Sequence, residues 1–303
     1  MKSLKPLFTC LCALGCLFAA QTNDENFPLA KESMGRIQGV VPGETLSFKW
    51  DDSKIFPGTE RIVKVYVPAA YDGKTPACVA IFQDGGGFRL ETVIDNLIRT
   101  NKIPTMIAVI VPSGKVPAAR GSEGWRHNRT FEYDTPDGRY GRFLLDEILP
   151  AVETLKTSDG RAIVLSKSGN DRMIAGASSG AAAAFNAAWA YPEEFSRVFS
   201  AIGSYTGLRG SYIYPTLIHK TEPKALRLFL QSGTRDMWTS FGDWWSANNA
   251  MVRALEFAGY DFKHAFGDGK HSQAHGTALF PAVMHYLWEG WPNPVKAGIH
   301  SRN

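Results

Sequence analysis

One serine of the chain stands midway between two glycines, in Gly176-Ala177-Ser178-Ser179-Gly180. Residues 172–175 before this motif are typical of a strand, and the alanine-rich run after it is typical of a helix. A strand that turns sharply into a helix strains the backbone of the central serine, and glycines two positions before and after remove side chains that would clash. The spacing therefore predicts Ser178 as a nucleophile, whereas a flexible Gly/Ser turn is the alternative.

A serine nucleophile needs an acid that orients its base, and both follow the serine on loops after later strands in hydrolases with such a turn. Residues 226–230 are typical of a strand, and Asp236 stands just past its end. Asp243 is the rival carboxylate. It directly precedes a predicted helix, where a role as N-cap explains it. We therefore predict Asp236 as the acid.

The base is one of seven histidines. His271 ends a glycine-rich loop directly after the last predicted strand, where an imidazole can reach the serine while its other nitrogen bonds to the acid. His275 is the rival base. The two could also form a metal pair, but Gly269 and Gly276 disfavour the helix that this spacing requires. We predict His271 as the base, His275 in the pocket wall and no metal site.

Residues 82–88 carry three consecutive glycines directly after a buried strand. Such a loop lets backbone N–H groups approach a substrate, so that Gly85 or Gly86 would donate to an oxyanion together with the N–H of Ser179. A phosphate-binding loop is the alternative, but no Gly-Lys-Ser/Thr signature follows. A plain turn is the other alternative.

Two groups of residues are candidates for the substrate pocket. Trp238 and Trp244 stand close to Asp236, and Arg129 and Glu132 belong to a second polar and aromatic group. Aromatic faces suit sugar rings or phenolic acyl groups, and arginine suits carboxylate or catecholate oxygens. Core packing of the tryptophans and a solvated surface for the charges are the alternative.

The elements that must position these residues alternate between strand and helix from about residue 61. Runs 77–82 and 106–111 are continuously apolar, as in strands buried on both faces. We predict a mainly parallel sheet covered by helices, in a single domain from residue 21 to 303. Predicted strands lie at 61–67, 77–82, 106–111, 172–175, 225–231 and 262–266, and predicted helices at 140–149, 179–190, 243–258 and 277–288.

The first twenty residues differ from the rest. Lys2 and Lys5 precede an apolar run from Pro6 to Ala20, which is too short to span a bilayer and has the length of a signal-peptide core. We predict a signal peptide over 1–20, a periplasmic or secreted protein, and no stable membrane insertion after cleavage. A lipoprotein signal at Cys16 is the alternative, disfavoured because the apolar run continues past that cysteine.

The cysteine content and the net charge argue against an internal disulfide and a nucleic-acid partner. Three of the four cysteines lie in this leader, so the mature chain keeps only Cys78 and has no internal disulfide. The net charge is +4, and no Lys/Arg run reaches the density of a nucleic-acid tract, so we predict no nucleic-acid partner. The oligomeric state stays open.

Taken together, these motifs resemble the "Putative esterase" family, which contains enterochelin esterases and feruloyl or acetyl-xylan carbohydrate esterases. The resemblance covers roughly residues 61–291. It rests on Phe82-Gln83-Asp84-Gly85, Arg142-Phe143 with Asp146-Glu147-Ile148-Leu149-Pro150, Gly176-Ala177-Ser178-Ser179-Gly180, Gly233-Thr234-Arg235-Asp236, and His271-Ser272 with His275-Gly276.

This resemblance implies an α/β-hydrolase fold, with a central, mostly parallel sheet flanked by helices. The family's serine, acid and histidine roles fall on Ser178, Asp236 and His271. The chain departs from the family at Lys270, where a glycine usually precedes the histidine, which keeps His275 open as the base.

We therefore predict a serine esterase that needs no metal or organic cofactor and hydrolyses a small-molecule or oligosaccharide ester. A feruloyl or acetyl ester of a plant polysaccharide is the first expected substrate, and a catecholate siderophore ester is the second. A non-catalytic carbohydrate-binding protein on a hydrolase fold is the alternative of another class.

Overall fold

The computed structural model describes residues 27–118 and 123–299. The predicted signal peptide, with Cys10, Cys12 and Cys16, lies outside these residues. Within them, no helix is long and apolar enough to cross a membrane.

The core of the fold is an eight-stranded sheet with the order β1-β2-β4-β3-β5-β6-β7-β8. Only β2 among these eight described strands runs against the others, because it pairs antiparallel with both neighbours while the remaining pairs from β4 to β8 are parallel. The prediction of a mostly parallel sheet is confirmed. The strands are β1 (Glu44–Trp50), β2 (Arg61–Val67), β3 (Cys78–Gln83), β4 (Met106–Val111), β5 (Arg172–Ala177), β6 (Arg197–Ala201), β7 (Arg227–Arg235) and β8 (Asp261–Lys270).

Helices cover both faces of the sheet. The longer ones are α1 (Leu90–Arg99), α2 (Arg139–Val152), α3 (Ser179–Ala190), α4 (Tyr214–Lys220), α5 (Trp244–Phe257) and α6 (Ala274–Trp288), with a π turn at Leu144–Ile148 inside α2. Short helical segments lie at Lys31–Met34, Arg129–Tyr133, Gly169–Asp171 and Ser211–Ile213. Two short strand pairs, outside the main sheet, join Lys115–Pro117 to Trp125–His127 and Trp238–Thr239 to Gly242–Asp243.

Alternation along the central strands divides the core into two layers. In β3, Val79 and Ile81 pack with helices α2 to α5, whereas Ala80 and Phe82 pack with α1 and α6. Successive side chains of a strand point to opposite faces, so a strand between two helical layers must be apolar on both. This explains why β3 and β4 are buried at every position.

The helix predicted at 140–149 continues through Pro150 to Val152. The π turn directly precedes Pro150, which occupies the first turn of the last helical segment, where a missing backbone N–H is tolerated. Pro150 therefore marks an irregularity in the helix and not its end.

Sequence patterns did not predict β6, although it is central to the sheet. Its five residues are all buried between β5 and β7. Residues 202–206, which follow it, prove important because they reach the predicted nucleophile.

Candidate active site

The predicted nucleophile stands at a sharp turn between β5 and α3. Ser178 has φ 59° and ψ −126°, a conformation that is strained for any residue with a side chain. Its N–H donates to Ala201 O over 2.9 Å, which ties the turn to β6. A Cβ added to Gly176 would lie 2.3 Å from the carbonyl carbon of Gly180, so the two glycines permit this turn.

Ser178, His271 and Asp236 lie in one chain of hydrogen bonds. His271 Nε2 is 2.8 Å from Ser178 Oγ, and His271 Nδ1 is 2.5 Å from Asp236 Oδ1. The Asp236 side chain is fully buried, the His271 side chain is 19% exposed, and Ser178 is half-buried. A bound ester can therefore reach the serine while the acid stays shielded from water, although the catalytic roles of the three residues remain predictions.

Two strand ends bring the acid and the histidine together. Asp236 follows β7 directly, and its Oδ1 also accepts from the N–H of Met237 over 2.7 Å. The parallel register of β7 and β8 shifts between Gly267 and Lys270. Such a bulge re-aims the side chains that follow it, so His271 reaches the serine although Lys270 replaces the family's usual glycine.

Neither rival residue joins this hydrogen-bond chain. Asp243 caps α5, because its Oδ1 accepts from the N–H of Trp245 over 3.0 Å. His275 lies in α6, where its ring stacks on Phe27 at 4.2 Å and its Nδ1 is 3.2 Å from Gln231 Nε2. His275 thus packs behind the loop that carries His271.

The two glycines that are predicted as oxyanion donors, in the loop after β3, differ in their contacts. Gly86 already donates its N–H to Gln83 O over 3.1 Å, which disfavours it as an oxyanion donor. Gly85 faces open space, since a Cβ added there would meet no atom within 4 Å. Ser179 begins α3, where the first N–H groups lack partners inside the helix. Gly85 and Ser179 remain the candidate donors.

Arg129 holds this glycine loop in place. Its Nε and Nη2 each lie 2.8 Å from a carboxylate oxygen of Asp84, which has a positive φ of 57°. Tyr133 Oη accepts from the N–H of Asp84 over 3.1 Å and donates to Val111 O over 2.9 Å. Arg129 also lines a cleft of about 480 Å³ beside Gly85, so it both supports the loop and borders open space.

Glu132 does not line the pocket, and that prediction is wrong. Its side chain is fully buried, and its carboxylate accepts from Arg61 Nη1 over 2.7 Å and Nη2 over 3.1 Å. The N–H of Gly114 and the amide of Asn128 also donate to it. Buried carboxylates need such partners, and the local sequence around 132 does not reveal that Arg61 supplies them.

The two predicted pocket tryptophans have opposite environments. Trp238 is 86% exposed, in the short strand pair after Asp236, and it remains a candidate for substrate contact. Trp244 is 2% exposed, so its prediction as a pocket residue is wrong. Its ring lies edge-on to His271, with centroids 5.9 Å apart, and its Nε1 donates to Ser204 Oγ over 2.9 Å.

Asp134 is a second buried carboxyl group beside the nucleophile turn, which the sequence did not single out. Burial raises the pKa of Asp134 to about 6, although the Ser179 hydroxyl and the guanidinium groups of Arg129 and Arg209 lower it. Only the fold brings residue 134 to the start of α3.

Two further observations concern metal binding and the reactivity of the cysteine. Within residues 27–118 and 123–299, no group of three or more His, Cys, Asp or Glu side chains is arranged to hold a metal ion. Cys78 is buried, and burial raises the pKa of its thiol to about 12, which favours the inert thiol form.

A family model described as "Putative esterase" matches residues 53–273 of the chain. This range contains the serine, the acid, the histidine and the glycine loop. Comparison of the sequence with curated proteins found no match.

Solved structures with the same fold include two kinds of esterase. A "ferulic acid esterase" shares 15% identity with a TM-score of 0.60, over 82% of this chain and 99% of that one. A feruloyl esterase module from Clostridium thermocellum shares 12% identity with a TM-score of 0.60, over 88% of this chain and 94% of that one.

A ferric enterobactin esterase from Salmonella typhimurium shares 19% identity with a TM-score of 0.66, over 86% of this chain and 62% of that one. The chain therefore spans about three fifths of the length of that protein. At these identities the likeness shows the fold, and the predicted α/β-hydrolase fold is confirmed.

Proposed function

The chain belongs to the "Putative esterase" family and is a carboxylic ester hydrolase, and we propose that it works through Ser178, His271 and Asp236. The observation that carries this proposal is the continuous contact from Ser178 Oγ to His271 Nε2 at 2.8 Å and from His271 Nδ1 to Asp236 Oδ1 at 2.5 Å. These separations need no rearrangement for proton transfer.

In the proposed reaction, Ser178 Oγ attacks the ester carbonyl while its proton passes to His271 Nε2. The carbonyl oxygen becomes an oxyanion, which the N–H groups of Gly85 and Ser179 would stabilise. His271 then protonates the departing alcohol, leaving an acyl group on Ser178. Water attacks this acyl-enzyme while giving a proton to His271. His271 then returns that proton to Ser178 Oγ as the bond between Oγ and the acyl carbon breaks, and the acid is released.

Asp236 would act by holding the imidazole. A carboxylate facing Nδ1 keeps the proton on that nitrogen, so Nε2 is free to accept the serine proton. It also stabilises the imidazolium that forms in each half-reaction.

Covalent labelling with a fluorophosphonate tests the nucleophile and separates the enzyme from a non-catalytic carbohydrate-binding protein on the same fold. We expect the wild type to be labelled and Ser178→Ala to stay unlabelled. The matched control is Ser179→Ala, which removes the adjacent hydroxyl but keeps the backbone N–H and should still be labelled. An unlabelled wild type would favour the binding protein.

The same assay decides between the two histidines. His271→Ala should lower the labelling rate and ester turnover by at least about 10³-fold, since it removes the base. His275→Ala should retain most of the activity, because that ring packs on Phe27 and Gln231. Loss confined to His275→Ala would refute the assignment of the base.

We propose a feruloyl or acetyl ester of a plant polysaccharide as the substrate. Support comes from the feruloyl esterase structures, which the chain matches over 94% and 99% of their length. The exposed ring of Trp238 beside Asp236 could stack on a sugar or a phenolic acyl group.

A catecholate siderophore ester is the second candidate, favoured by the likeness to the Salmonella typhimurium esterase. Rates on methyl ferulate, acetylated xylan and a catecholate trilactone would rank the candidates. A kcat/KM for the trilactone above those of the two plant esters would overturn the first choice.

We also propose that the protein is exported to the periplasm or secreted. The basic start and apolar run of residues 2–20 support this proposal. N-terminal sequencing of the mature protein would test it, since retention of Met1 would contradict cleavage and a blocked N-terminus at Cys16 would indicate lipidation.

A further inference from the structure

A buried serine contacts the predicted nucleophile but has no role in the reaction proposed above. Ser204 is fully buried, and its Oγ lies 3.2 Å from Ser178 Oγ. Its backbone N–H donates to Ser178 O over 3.2 Å. Both the main chain and the side chain of Ser204 therefore bond to the same residue.

A second contact leaves the hydroxyl proton of Ser204 available for this hydrogen bond. The indole Nε1–H of Trp244 can only donate, and it donates to Ser204 Oγ over 2.9 Å. The hydroxyl proton of Ser204 is then free to point to another acceptor. Ser178 Oγ is the acceptor that lies within reach at 3.2 Å.

The contacts of His271 set the direction of the hydrogen bond between Ser204 and Ser178. When the Asp236 carboxylate accepts from His271 Nδ1, the bare Nε2 must accept from the hydroxyl of Ser178. Ser178 Oγ has then used its proton and can only accept from Ser204. One polarity thus runs from Trp244 through Ser204 and Ser178 to His271.

We propose that Ser204 is a further catalytic residue, which donates a hydrogen bond to the attacking oxygen of Ser178, and that Trp244 is a positioning residue acting through it. This inference rests on the proposed function. As the bond from Ser178 Oγ to the acyl carbon forms, the Ser178 proton moves to His271 Nε2. Ser204 keeps its own proton throughout, and its O–H stabilises the charge that gathers on Oγ as that proton leaves.

The arrangement also limits where the nucleophile can point. Ser178 Oγ is held between a donor at 3.2 Å and an acceptor at 2.8 Å. An oxygen held in this way needs less reorientation before it attacks. Removal of Ser204 should therefore affect every acyl donor, whatever its alcohol.

The test measures the second-order rate constant of fluorophosphonate labelling, together with kcat and KM for a small ester. We expect Ser204→Ala to lower the labelling rate and kcat by about tenfold, with KM nearly unchanged. The matched control is Ser200→Ala, because the Ser200 hydroxyl is also buried, close to Ser204, but bonds to Tyr205 Oη at 2.8 Å. Ser200→Ala should be labelled at the wild-type rate.

A double-mutant cycle with Trp244→Phe tests the role of the indole. Trp244→Phe should slow labelling about threefold in the wild type and have no further effect in Ser204→Ala, since it acts through the missing hydroxyl. An equal loss in both backgrounds would overturn the positioning role of Trp244. If Ser204→Ala does not fold, wild-type labelling of Trp244→Phe overturns the proposal and slowed labelling supports it.

The two proposals fail in different ways. A wild type that is not labelled, or a Ser178→Ala variant that is, contradicts the proposed function. Labelling of Ser204→Ala at the wild-type rate, while Ser178→Ala stays unlabelled, overturns the role of Ser204 alone.

Discussion

Asp236 and Asp134 are two buried carboxyl groups near the nucleophile turn, and their contacts differ. Asp236 Oδ1 accepts from His271 Nδ1 at 2.5 Å and from the N–H of Met237 at 2.7 Å. Asp134 lies beside Ser179, and burial raises its pKa to about 6. The depth of the two side chains is similar, so what each carboxyl group can do depends on its neighbours. In the proposed reaction Asp236 orients His271, whereas the raised pKa of Asp134 predicts an effect on stability.

The largest expected effect is on Asp236. Asp236→Asn should lower kcat by about 10³- to 10⁴-fold, because an amide no longer keeps the proton of His271 on Nδ1. Steady-state ester hydrolysis checks this expectation. Asp243→Asn is the matched control, since Asp243 caps α5 and asparagine caps a helix equally well. A loss below tenfold for Asp236→Asn would show that Asp236 has no greater part in the reaction than Asp134.

Glu132 is a third buried carboxylate, and unlike Asp236 and Asp134 it forms an ion pair with a buried arginine. Glu132→Gln leaves the buried guanidinium of Arg61 without its counter-charge, and should reduce the free energy of unfolding by about 3–5 kcal/mol. Urea unfolding measures this loss. The double variant Arg61→Met with Glu132→Leu should lose less than the single variant, because no unpaired charge is left. Greater loss in the double variant would show that packing, and not charge, explains the effect.

The smallest expected effect concerns Asp134 and depends on pH. The carboxyl group of an unfolded chain has a pKa near 4, whereas that of folded Asp134 is about 6. The folded state therefore binds more protons between these values, and its stability falls as pH rises from about 4 to above 6. A difference of about two pH units corresponds to about 3 kcal/mol.

Asp134→Asn removes this titration. Relative to the wild type, the variant should gain about 3 kcal/mol in free energy of unfolding between pH 4 and pH 7, while kcat at pH 7 changes only a few-fold. Urea unfolding of both proteins at the two pH values checks the gain. A stability difference that does not vary with pH would show that Asp134 has the pKa of an exposed carboxyl group.

Local sequence was sufficient wherever a residue's role depends on its neighbours along the chain. The glycines of 176–180 indicate the strained turn, because their effect is steric and acts within five residues. Strands β2 and β4 begin and end where the sequence patterns predict, alternating in β2 and continuously apolar in β4. Asp236 and His271 follow from their positions just past predicted strands.

Local sequence was insufficient where burial decides the role. Glu132 and Arg129 are three residues apart, yet one is wholly buried against Arg61 and the other borders a cleft. Trp238 and Trp244 are six apart, and one is exposed while the other is buried. A polar or aromatic residue does not indicate by itself which distant side chain will cover it.

The sequence by itself therefore determined the turn at Ser178, the alternation of strands and helices, and the order of serine, acid and histidine. Only the tertiary structure decided that His271 and not His275 reaches the serine, and that Ser204 lies against Ser178. The reason is that propensity and periodicity act over a few residues, whereas these contacts join segments 26 to 93 residues apart.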